Sequence, residues 1–132
     1  MKSILKYLLL NQKRQAPKKV LESFKKLFGS SINIEWERVH DEFEAIFYYD
    51  GIEQIARFDE QGSLLSLKRN FTINNIPLEI AKIARSFGEI MNVIEIKQGD
   101  NLNFEFIYRN ESLIRFSLLL DEKGNVLTHK IL

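Results

Sequence analysis

Phe58-Asp59-Glu60-Gln61-Gly62-Ser63-Leu64-Leu65 and Leu120-Asp121-Glu122-Lys123-Gly124-Asn125-Val126-Leu127 are one turn written twice. An Asp that bonds the backbone of its own turn is followed three residues later by a Gly able to take the left-handed conformation. Apolar residues flank both turns, so each reads as a hairpin between two strands.

Upstream of each turn the same order of signals recurs. Pro17 and Pro77, the only prolines, open amphipathic segments closed by Gly29 and Gly88. Pro suits the first turn of a helix, and Gly suits the residue past its end. Val20, Phe24 and Leu27, and then Ile80, Ile83, Ala84 and Phe87, fall at helical spacing. After each helix the period moves toward two. Ile32-Asn33-Ile34-Glu35-Trp36 alternates, Phe43, Ala45, Phe47 and Tyr49 make one strand face, and Leu102, Phe104, Phe106 and Tyr108 make another. Asp50-Gly51 is a two-residue hairpin turn, and His40-Asp41-Glu42 and Gly99-Asp100-Asn101 are hairpin loops. The expected fold is therefore α+β. Two repeats, 17–71 and 77–132, would each carry one helix followed by four antiparallel strands, with helices packed on the antiparallel sheet of a single domain spanning 17–132.

Ahead of that domain, residues 1–16 read as a basic amphipathic leader. Residues 1–26 hold eight Lys or Arg and one acid, a balance of +7, while 27–132 balance at −6. As a helix the leader would set Lys2, Lys6 and Lys13 to one side and Ile4, Leu5, Leu8 and Leu9 across a broad apolar arc. It could dock on the acidic body, pair with a second copy, or make peripheral membrane contact. Its apolar run after Lys6 is too short for a signal peptide and no small-residue cleavage site follows, so the chain reads as cytoplasmic as it stands. No Cys is present, which removes disulfides, thiolate metal sites and thiol nucleophiles.

These features resemble the PepSY-like family, whose fold is similar to that of the β-lactamase inhibitor protein. The resemblance spans roughly 17–132. It is carried by Pro17 and Pro77, the Trp36-Glu37 pair, the Tyr49-Asp50-Gly51 hairpin and the turns at Phe58-Asp59-x-x-Gly62 and Leu120-Asp121-x-x-Gly124. It implies a bacterial envelope or secreted location, inhibitory or regulatory binding often directed at peptidases, and no catalytic residues. The clear signal peptide usual in the family is missing here.

The residues themselves offer little chemistry. His40, Asp41 and Glu42 alternate across a strand and do not converge on a metal unless a loop folds them together. His129 falls in an inward register and reads as a partly buried, hydrogen-bonded residue. The acids at 59–60 and 121–122 lack the ligand spacing of a calcium loop. There is no phosphate loop, GxSxG elbow or HExxH motif, so no catalytic, metal or cofactor residue is expected. What remains is a doubly apolar sheet. Ile46, Tyr48, Ile55 and Ile107 fall on the strand faces opposite the core and are the candidate partner-contact residues, Tyr48 as an interface anchor. The expected function is a non-catalytic binding module for a protein or peptide. A carrier of an apolar ligand between helices and sheet, or a small enzyme, are the alternatives, and self-association is compatible with the same apolar faces. Glu42, Glu44 and Asp50 around these aromatics argue against nucleic acid.

Overall fold

A computed structural model describes residues 16–132. The predicted leader over 1–16 therefore lies outside the described residues, except for Ala16. Helix α1 (Lys18–Leu27) leads into strands β1 (Ile32–Val39), β2 (Glu42–Tyr49), β3 (Ile52–Phe58) and β4 (Leu64–Phe71). A 3-10 turn (Ile73–Asn75) then precedes α2 (Leu78–Phe87), β5 (Glu89–Gln98), β6 (Asn101–Arg109), β7 (Arg115–Asp121) and β8 (Val126–Ile131). Both helices start directly after their proline, as the spacing predicts.

The expectation of two repeats, each a helix with its own four strands, is corrected. The strands run in sequence order from β1 to β8 in one eight-stranded antiparallel sheet, accompanied by two ten-residue α-helices among the described residues. The physical reason lies in β4. From Leu67 to Phe71 it pairs with β5, Leu67 opposite Lys97 and Phe71 opposite Val93. Its backbone donors and acceptors are thus used instead of forming the free edge of a closed four-strand unit. The chain divides inside this strand, into one compact unit ending at Ser66 and another over Leu67–Leu132.

In the first unit α1 turns Val20 and Phe24 to the strands. Phe24 meets Phe47 at 4.9 Å between ring centroids, edge to face, and also contacts Trp36, Phe58 and Phe28. Phe43, Ala45 and Phe47 on β2 and Ala56 and Phe58 on β3 complete the inner face. Such offset and perpendicular ring pairs add roughly 0.5–1.5 kcal/mol each beyond the area they bury. Buried Gln54 donates from Nε2 to the Tyr49 carbonyl at 3.2 Å, so its amide is not left unsatisfied.

The second unit uses smaller helical residues. Ile80, Ala81 and Ala84 of α2 are buried with Val93, Phe104, Phe106, Leu118 and Leu120. Gly88 follows the helix where a Cβ would strike the Arg109 carbonyl, so the connection into β5 demands glycine on space alone.

The Asp59–Gly62 and Asp121–Gly124 turns have the same geometry. Asp59 Oδ1 accepts from the backbone N–H of Gln61 and Ser63, and Asp121 Oδ1 from Lys123 and Asn125, all at 2.9 Å. Gly62 and Gly124 have φ of 86° and 89°. A third turn of this design, not marked by any glycine, joins β6 to β7. Asn110 Oδ1 accepts from Ser112 and Ile114, and Leu113 takes the left-handed position at φ 63°.

Candidate partner-binding face

Alternation fixes what each strand shows on the side away from its helix. On β2, burial of Phe43, Ala45 and Phe47 sends Glu42, Glu44, Ile46 and Tyr48 outward. On β3, burial of Gln54, Ala56 and Phe58 sends out Glu53, Ile55 and Arg57. Cross-strand pairing then sets the neighbours. Ile46 lies between Glu35 of β1 and Ile55, and Tyr48 lies between Ile32 and Glu53. The structure thus brings together three of the four candidate residues, Ile46, Tyr48 and Ile55. Ile107 belongs to the other unit, on β6 between Asn92 and Ser117.

Ile46 and Ile55 are half-buried. Tyr48 is 39% exposed and Ile32, on the sheet-edge strand, 63%. The Tyr48 hydroxyl donates to Glu53 Oε2 at 3.0 Å, and that hydrogen bond, followed by the carboxylate charge, raises the phenol above its ordinary value. The Tyr48 ring is thereby held to the strand by its polar tip while part of its surface stays uncovered by the strands.

Five carboxylates surround these apolar residues: Glu35, Glu37, Glu42, Glu44 and Glu53. One guanidinium answers them. Arg57 bonds Glu44 at 2.8 Å and reaches Glu42 at 3.4 Å. The face carries a formal −4, and Glu37 sits directly opposite Glu44, a like-charge pair that disfavours the strand contact. A shallow groove of about 450 Å³ lies at the β1 edge, lined by Glu35, Glu37 and Ile46 of this face and by Trp36 and Arg38 of the helix-facing side.

The histidines fall elsewhere. His40 holds a left-handed position, φ 57°, in the two-residue turn between β1 and β2, where its carbonyl accepts from Arg38 Nε. Among the described residues no three His, Asp or Glu side chains gather where they could hold a metal. His129 does face inward, opposite Leu118, and its Nε2 lies 2.5 Å from the Tyr108 hydroxyl. Yet it is exposed, not partly buried as the repeat alignment suggested. β8 is the last strand of the sheet and all six of its residues are open. Phe87, Tyr108 and Phe116 pack around the imidazole, and burial pushes the Tyr108 phenol up, so that hydroxyl stays protonated.

Each unit thus carries one helix packed on antiparallel strands, with acid-led tight turns. The chain shares this fold with solved bacterial structures. One, from Bacteroides fragilis and described as a BLIP-like protein, superposes with a TM-score of 0.76 at 19% identity, over 89% of this chain and 87% of that one. A second, from Bacteroides eggerthii and provisionally described as periplasmic, gives 0.80 at 18% identity, covering 89% of both chains. A third, a DUF2874 family protein from Bacteroides uniformis, gives 0.79 at 18% identity over 89% and 90%. No protein-family model and no curated protein matches the sequence. No helix among the described residues is long and apolar enough to cross a membrane.

Proposed function

We propose that this protein is a non-catalytic binding module of the bacterial cell envelope. Its outer β1–β3 face would recognise a protein or peptide, in an inhibitory or regulatory role. The observation that carries the reading is the pairing of Ile46 with Ile55 beside exposed Tyr48, inside a ring of carboxylates. Apolar centre and charged rim is the anatomy of a protein interface, and a tethered aromatic is the residue type that dominates binding energy there. The B. fragilis neighbour's BLIP-like description and the PepSY-like pattern of turns support binding. The B. eggerthii neighbour supports the compartment. The charge of the rim favours a partner that presents lysines or arginines.

The test is retention of partners from an envelope extract by immobilised protein. A species held by the native chain and by Ser117→Lys, on the outer face of the other unit, but lost with Tyr48→Lys, supports the assignment. Retention indifferent to Tyr48→Lys removes it.

A further inference from the structure

We infer that the acid-rimmed face of β1–β3 is occupied in the free protein by the chain's own residues 1–15. Three independent observations carry this. The first is charge. Residues 1–15 hold Lys2, Lys6, Lys13 and Arg14 and no acid, a formal +4 against the −4 of the face. The second is apolar content. Ile4, Leu5, Leu8 and Leu9 need a hydrophobic surface, and Ile32, Ile46, Tyr48 and Ile55 supply one that is not fully covered. The third is reach. The segment joins the body at buried Ala16, just before α1, whose first turn lies against the β3–β4 turn, where Lys19 Nζ donates to Gln61 Oε1 at 3.1 Å. From that end of the sheet the outer face is one layer away, about 10 Å, and β1 lies two strand spacings across, about another 10 Å, whereas fifteen extended residues span roughly 50 Å. Enough chain is left to lie along the groove beside Glu35 and Glu37.

The docked segment acts as an intramolecular competitor. It neutralises the face and shields Tyr48, and a basic partner must displace it. That consequence rests on the binding role proposed above. The docking itself does not, and it is measured on the purified chain with no partner present.

Carbodiimide cross-linking of the full chain at low concentration tests it, because the reagent joins an amine to a carboxylate only when the two touch. Mass spectrometry of the digest should find Lys2, Lys6 or Lys13 joined chiefly to Glu35, Glu37 or Glu53. In a mixture of ¹⁴N and ¹⁵N protein the joined peptides should share one isotope. Their yield should fall about fivefold in Tyr48→Lys and in roughly 0.5 M salt, where the Debye length contracts below 5 Å. Glu53→Gln gives the same readout should Tyr48→Lys fail to fold. Links spread over Glu79, Glu111 and Glu122, links of mixed isotope, or a yield untouched by these substitutions overturn the inference. Docking without partner retention defeats the binding role alone, and retention without docking defeats this inference alone.

Discussion

The two units lay a ten-residue helix across antiparallel strands, but they fill the contact differently. In the first, one large ring, Phe24, reaches down into Phe47, Phe58 and Trp36. In the second, Ala81 and Ala84 leave room for Val93, Phe104, Phe106 and Leu118 to rise toward the helix. Both are dense solutions of one packing problem, and cores accept such exchanges while total volume and pattern hold. Their outer faces diverge in kind. Each has isoleucines at its centre, Ile46 and Ile55 in one, Ile94, Ile96 and Ile107 in the other. The first is ringed by glutamates at −4. The second sets Lys68, Arg109, Arg115 and Lys130 against Glu89, Glu105 and Asp121, for +1. Nothing in the packing requires that difference, so the outer charge is where selection for a partner can act.

The sharpest break between the units is expected at the paired turns. Gly62 and Gly124 both sit at left-handed φ, where an added Cβ costs about 1–2 kcal/mol. Their surroundings differ. A Cβ at Gly62 would lie 2.7 Å from the Lys19 carbonyl oxygen in α1 and 2.6 Å from Ser23 Oγ, and a helix backbone cannot step aside. At Gly124 it would meet the Cδ1 methyl of Ile83, the free end of a rotatable side chain. Gly62→Ala should therefore cost about 3 kcal/mol, conformational strain plus overpacking, and Gly124→Ala about half that. Urea midpoints at unchanged slope check both. Equal losses would show that α1 yields as easily as an isoleucine tip.

A smaller effect of opposite sign belongs to the third turn. Leu113 keeps the left-handed position between β6 and β7 although its side chain is 67% exposed. Leu113→Gly removes the strain at the cost of chain entropy, for a net gain of roughly 0.5–1 kcal/mol. A loss of stability instead would mean that this exposed side chain packs on something.

That turn also marks how far the sequence could be read. The helices, the Asp50-Gly51, His40-Asp41 and Gly99-Asp100 turns and the two Asp-Gly turns carry local chemistry, and each falls where proline, glycine and alternation put it. Asn110-Glu111-Ser112-Leu113 has the same hydrogen bonds and no glycine, so no local signal exposes it. The continuous sheet was illegible for another reason. Whether β4 ends a unit or pairs onward with β5 depends on backbone pairing between residues 22 to 30 positions apart, from Phe71 with Val93 to Leu67 with Lys97. Alternation placed Ile46, Tyr48 and Ile55 on one side of their strands, but the ring of glutamates needed the β1 register. Glu35 and Glu37 join the face only because a bulge between Ile32 and Glu35 resets β1 against β2.

The smallest difference between the units is electrostatic and lies in the acid that leads each turn. Asp121 accepts a side-chain bond from Asn125 at 3.0 Å besides two backbone bonds, and Ser63 stands where Asn125 would be in the first turn. The Asn125 amide, then the backbone N–H groups, hold the Asp121 carboxyl below its ordinary value near 3.8. A carboxyl depressed in the folded state binds protons more readily once unfolded. Its contribution is therefore complete above the ordinary carboxylate range and is lost as pH falls through the lower folded value. Asp121→Asn isolates this contribution, because Asn110 shows that an amide oxygen can accept both backbone bonds of the same turn at 2.9 and 3.0 Å. Thermal midpoints should fall less steeply with acidification from pH 7 for Asp121→Asn than for the native chain, the difference closing as pH drops through the depressed folded-state value of Asp121. Parallel curves would assign the role of Asp121 to turn geometry alone. Asp121 would then be interchangeable with Asn110, and the charge at this position would do nothing for the fold.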